Sequence, residues 1–159
     1  MTEGDYGVAL ERAEHAISVA PNDAVAWLAK GRVLVFSGWP DEACAAIETA
    51  IRLSPRSPVG WIALLTLAIG HYFKRDYSAA AQVAQRAIRA HPDFPLPYRW
   101  LAAALGQLGR TDEARDALRK AIEVSPASFE FYARGRAPWF RPEDYEHVLN
   151  GLRKAGWQA

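Results

Sequence analysis

Three stretches of this chain can be laid over one another so that residues of like size fall at the same offsets. In residues 24–57, Trp27, Gly31, Leu34, Gly38, Ala43, Ile47, Ala50 and Pro55 hold fixed places in a unit of 34 residues. Residues 95–128 repeat it with Tyr98, Ala102, Leu105, Gly109, Ala114, Leu118, Ala121 and Pro126. Residues 58–94 carry Trp61, Leu65, Ala68, Ala80, Ala84, Ala87 and Pro92, with three extra residues between the two halves. A period of this length means that each unit is one supersecondary element that buries its apolar face only by stacking on the next.

Within a unit the residue types carry physical meaning. The large residue at the fourth offset (Trp27, Trp61, Tyr98) is a wedge between paired helices, and its truncation is expected to cost about 3–5 kcal/mol if it is buried. Gly31 and Ala43 are small where two helix backbones approach, whereas Leu65 implies a wider crossing. Pro55, Pro92 and Pro126 end the second helix of each unit, because proline has no N–H and clashes with the preceding turn. Ser57-Pro58 reads as the N-cap and first position of the next helix. The resulting map has helices near 5–20, 24–37, 40–53, 58–73, 76–90, 95–108 and 111–124, a short turn near 128–134, and a last helix near 142–155. Strand signals are absent.

These residues resemble the tetratricopeptide repeat. The resemblance implies an all-α fold, a right-handed α-α superhelix, and a non-catalytic role in binding a protein or peptide. The domain reading is one array over 1–159: an orphan second helix in 1–23, repeats in 24–57, 58–94 and 95–128, then an aborted repeat and a capping helix in 129–159. By the same resemblance the first helices line the concave face at the second, fifth, ninth and twelfth offsets. That set holds Val25, Leu28, Arg32 and Val35, then Val59, Ile62, Thr66 and Ile69, then Leu96, Arg99, Ala103 and Gly106, with Trp100 flanking the floor. The lining is mostly apolar, with Arg32 and Arg99 as its basic members and no Asn, so capture of a peptide terminus by Lys and Asn is not expected.

The departures from the repeat carry further expectations. His71-Tyr72-Phe73 lies in the insertion and would place two aromatics at the edge of the array. The first helix exposes Val8 and Ile17 if nothing covers it; either this alanine-rich exposure is tolerable or covered by a few residues folding back, or the face docks a partner or a second copy. Tyr145, Val148, Leu149 and Leu152 make one stripe of an amphipathic helix; it would cap the last repeat or fold into the groove. Phe140–His147 with Gly151–Gly156 is similar to the tail of arrays that follow class III adenylyl cyclase domains in some bacterial proteins, which implies kinship with a regulatory module and no cyclase activity.

Composition closes off other classes. A formal charge of +1 offers no basic stripe for nucleic acid, and no apolar run approaches the ~20 residues that span a bilayer. The acidic Met1–Asp5 start lacks a signal-peptide core. Cys44 is the single cysteine, which reads as a buried filler and fits a cytoplasmic address. The four histidines have no ligand partner at metal-binding spacing. No catalytic, cofactor or metal residue is expected.

Overall fold

The computed structural model describes residues 3–57 and 60–158, with side chains from Tyr6 onward. The described residues form helices only: α1 (Glu3–Val19), α2 (Ala24–Phe36), α3 (Pro40–Leu53), α4 (Gly60–Phe73), α5 (Tyr77–Ala90), α6 (Pro95–Gln107), α7 (Thr111–Val124), α8 (Pro126–Arg134) and α9 (Pro142–Lys154). The expected Ser57-Pro58 helix start and the groove position Val59 lie at or beyond the edge of the described residues.

Consecutive helices pair as antiparallel neighbours, α2 with α3, α4 with α5 and α6 with α7, and each pair stacks on the next. The core runs through the seams as small residues from the second helices (Ala43, Ala80, Ala84, Ala114) meeting larger ones from the first (Leu34, Leu67, Leu101, Leu105). Alanine at these places lets backbones approach closely while the first helix supplies the volume.

The turn inside each unit needs one residue in the left-handed region. Gly38 (φ 88°) and Gly109 (φ 72°) supply it in the outer units. In the middle unit the insertion shifts the register by three, and Arg75 (φ 64°) stands there instead. A side chain in that conformation costs about 1–2 kcal/mol, which the Asp76 cap on Ala79 N–H at 3.1 Å partly offsets.

The wedges are half-buried, so the full truncation cost does not apply to them. Trp27 donates its indole N–H to the Pro21 carbonyl at 2.8 Å, and the Tyr98 hydroxyl donates to the Pro92 carbonyl at 3.1 Å. Each seals its helix onto the proline turn before it. Trp61 packs instead on the turn that follows, against His91 and Phe94.

Two elements differ from the sequence expectation. The stretch near 128–134 is a nine-residue helix, α8, rather than a turn. Ser125 caps it by accepting from Ser128 N–H at 3.3 Å, and Pro126 is its first residue, so one proline both stops α7 and starts α8. The insertion does not sit at an exposed edge. Tyr72 is fully buried and Phe73 packs against the core, because α4 is extended into space that α9 and the preceding loop close over.

Candidate functional site: the concave groove

The first helices α2, α4 and α6 present the concave offsets, and the chain itself fills much of the space in front of them. Helix α9 lies along α6, its Gly151 facing Ala103 and Gly106. A Cβ built on Gly151 would stand 2.7 Å from the Ala103 carbonyl oxygen, and one built on Gly106 would run into the Gly151 carbonyl. Two glycines therefore set this crossing. Ahead of α9, the loop 135–141 turns into the groove. Phe140 lies parallel to the Trp100 ring at 6.3 Å between centroids and edge-on to Phe36 at 5.2 Å. From the other end of the array, the Tyr6 hydroxyl of α1 donates to the Trp139 carbonyl at 2.5 Å. The two ends of the array thus meet across the groove.

The sequence-predicted residues divide accordingly. Val35, Thr66, Ile69, Arg99, Trp100 and Ala103 are buried, whereas Leu28 and Ile62 are partly accessible and Arg32 is exposed. The Thr66 hydroxyl is spent on the Ile62 carbonyl at 2.8 Å. Ala103 lies under α9, and Trp100 lies under Phe140. Leu28 faces a shallow depression with Ala50, Ile51 and Trp61, apart from the others. Arg32, Ile62, Thr66, Ile69, Arg99 and Trp100 do come together, around one cavity of about 130 Å³ that Tyr132, Trp139 and Phe140 complete. A second cavity of about 380 Å³, lined by Tyr6, Ala29, Arg32, Val33, Phe36 and Trp139, adjoins it, with Arg32, Phe36 and Trp139 common to both.

Arg99 is the unusual member. It is 2% exposed, and its Nε and Nη2 have no hydrogen-bond partner among the described residues. Its guanidinium lies between two rings, 5.5 Å from the Trp100 centroid and 5.2 Å from that of Tyr132. Burial lowers its pKa to about 10, and the groups that act the other way are the phenols of Tyr132, Tyr145 and Tyr72, with no carboxylate among them. The group is therefore still a cation at neutral pH. Each cation–π contact returns about 0.5–2 kcal/mol, less than the several kcal/mol that an unpaired buried charge costs.

A polar seam fastens α9. The Tyr72 hydroxyl donates to the His147 carbonyl at 2.9 Å, the Tyr77 hydroxyl pairs with His147 Nε2 at 2.9 Å, and Gln107 reaches Asn150 Oδ1 at 3.2 Å. His147 is half-buried beside those two phenols. Burial holds its imidazole below the ordinary value, Arg75 and Lys154 act the same way, and Asp144 opposes them. His71 is likewise lowered, by burial first, with Asp76 opposing. A His whose folded pKa lies below its unfolded value of about 6.5 is favoured neutral in the fold. Its contribution is complete above that pH and is lost as the pH falls through the folded value. The urea midpoint is accordingly expected to fall between about pH 7.5 and 5.5, and His147→Gln is expected to shrink the fall; an equal fall in the variant would remove His147 as a cause.

The remaining chemistry is sparse. Cys44 is 4% exposed, and burial pushes its thiol up to about 11, which makes it a poor nucleophile. No group of His, Cys, Asp and Glu that could hold a metal occurs among the described residues. No helix among them is long and apolar enough to cross a membrane.

Comparison with known proteins agrees with this architecture. Tetratricopeptide repeat family profiles match residues 24–57 and 65–129. The cytochrome c-type biogenesis protein CycH of Rhizobium meliloti (strain 1021) is 30% identical over 138 residues, which is 85% of this chain. The chain spans 33% of the length of that relative. Among solved structures, MamA is similar with a TM-score of 0.72 at 20% identity, covering 96% of this chain and 88% of that one. YrrB, described as a TPR protein with an unusual peptide-binding site, has a TM-score of 0.65 at 20% identity, covering 96% and 77%. At such identities these structures speak for the fold. The pairing of helices, the 34-residue spacing and the matched profiles agree: the chain is an all-α solenoid of tetratricopeptide repeats.

Proposed function

We propose that this chain is a non-catalytic interaction module that holds a segment of a partner protein in the open part of its concave groove. The observation that carries this reading is the pair of adjoining cavities in front of α2 and α4. Their walls are Ile62, Val33, Phe36 and Trp139, with Arg32 exposed at the junction. A concave apolar surface with one accessible cation suits an apolar or amphipathic segment bearing an acidic residue. The peptide-binding site named for YrrB supports the same reading, since its fold is similar.

Of the remaining concave positions, Thr66 and Ile69 shape the floor of the inner cavity, whereas Val35 and Ala103 are buried away from both cavities. Arg32, Ile62 and Trp139 are the surfaces a partner touches. Peptides selected from a displayed library on the intact chain are expected to lose at least about tenfold in affinity on Arg32→Glu or Ile62→Asp, a loss of about 1.4 kcal/mol. Retained affinity in both variants would place the binding surface elsewhere. A second reading has the array acting as a regulatory module that docks or self-associates through α1, and it is favoured by Val8 and Val19, which are 48% and 72% exposed. Equilibrium sedimentation that shows only monomer at high concentration would exclude the self-associating form.

A further inference from the structure

We infer that the cavity headed by Arg99 is a binding site for a small carboxylic acid, one carboxylate on a compact apolar body, about six heavy atoms in all. Three observations carry this. Arg99 is buried, protonated at neutral pH and, among the described residues, without a carboxylate or hydrogen-bond acceptor on Nε and Nη2. In native proteins a buried polar group without a partner is rare and calls for an occupant. Arg99 lines a cavity of about 130 Å³ whose other walls are mostly apolar, Ile62, Ile69, Leu96 and Phe140 among them, and whose Thr66 hydroxyl is already bonded to its own helix. A cavity of about 150 Å³ lined by apolar groups accepts benzene, a body of six heavy atoms, so a four- or five-carbon acid matches this one in size.

The chemistry favours a carboxylate over other anions. A guanidinium edge offers parallel N–H donors that fit the two oxygens of one carboxylate. The Trp100 and Tyr132 rings lie 5.5 and 5.2 Å from the guanidinium carbon, and neither takes a hydrogen bond from Nε or Nη2. A dianionic phosphate would bring a second charge into walls that hold no further buried cation, since the other cation on the cavity, Arg32, is exposed at its mouth. Entry runs through the outer cavity, which shares Arg32, Phe36 and Trp139 with the inner one. The inference stands apart from the protein-binding reading, because it concerns a free small molecule and the inner cavity alone.

The test titrates the whole chain with isobutyrate and, as a neutral twin of the same shape, isobutyramide. Tryptophan fluorescence reports directly, since Trp100 and Trp139 line the cavity. Isobutyrate is expected to give a saturable change with a Kd of about 1 mM or below. At tenfold excess over Kd it should raise Tm by about 4 °C, whereas isobutyramide gives neither effect. Arg99→Met is expected to fold and to lose the isobutyrate response at least tenfold. Arg99→Lys, which keeps the charge but not the fork, is expected to weaken it about three- to tenfold. If Arg99→Met fails to fold, Arg99→Lys and the amide decide. Equal effects of acid and amide, no response to about 20 mM isobutyrate, or unchanged affinity in the Arg99 variants would overturn the inference.

Discussion

Gly151→Val is expected to detach α9 from the array while leaving the helix itself intact. Valine is a better helix former than glycine, so α9 loses nothing locally. Its side chain, however, must enter space where a Cβ alone stands 2.5 Å from the Tyr72 hydroxyl, 2.7 Å from the Ala103 carbonyl oxygen and 3.1 Å from the Ala103 Cα. Two of those three atoms are backbone of α6 and cannot rotate away. Overpacking of a tight core costs about 1–3 kcal/mol, and a rigid backbone neighbour puts this case at the upper end, about 3 kcal/mol. Undocking also uncovers Val148, Leu149 and Leu152, which are buried in the docked state. The expected readings are a lower urea midpoint, little change in helical circular dichroism, and rapid tryptic cleavage at Arg134 and Arg136 ahead of α9. Gly7→Ala is the matched control. A Cβ there meets nothing within 4 Å, so the change should be neutral or stabilising by up to about 1 kcal/mol. An unaltered midpoint and cleavage pattern in Gly151→Val would show that the α6–α9 crossing tolerates separation.

The parts of the fold that follow from local chemistry were legible in the sequence, and the contacts made between distant segments were not. Gly38 and Gly109 mark their left-handed turns because few other residues adopt that conformation cheaply. Arg75 was hidden, since the insertion displaces it and its side chain gives no sign of such a backbone. Pro126 was read as a stop, and its second role as the first residue of α8 depends on the Ser125 cap beside it. The concave offsets named Arg32, Ile62, Thr66, Ile69, Arg99 and Trp100, and those six do share one cavity. What the offsets could not tell is which of them stay accessible. That is decided by Trp139 and Phe140, placed far along the chain in a loop without periodicity. Their aromatic character was the available signal, because two adjacent apolar rings in a connecting loop need something to pack on. Tyr6 closes the arrangement over 133 positions of sequence, a separation that no local pattern encodes.

Tyr72→Ala is expected to be the most damaging single truncation in the chain. The residue is among the largest fully buried side chains, and its ring touches four others. Trp100 and Tyr77 lie at 5.4 Å, Phe73 at 6.2 Å and the His147 imidazole at 4.6 Å. Its hydroxyl donates to the His147 carbonyl at 2.9 Å and accepts from Gln107 Nε2 at 3.3 Å. Burial raises its phenol pKa far above the ordinary value, so the group remains a neutral donor throughout the physiological range. Removing the ring opens a cavity between α4, α6 and α9 that those helices cannot fill, at a cost of about 3–5 kcal/mol. Tyr72→Phe separates the two contributions. It keeps the ring and leaves the His147 carbonyl with Gln107 at 3.4 Å as its remaining side-chain donor, for a loss of about 1 kcal/mol. Urea unfolding of both variants checks the order. Equal, small losses would mean that the insertion carrying Tyr72 decorates the array. The expected ranking instead makes the three extra residues the reason that a short repeat array can hold its own C-terminal helix in the groove, and so the reason that only the α2–α4 portion of that groove stays open to a partner.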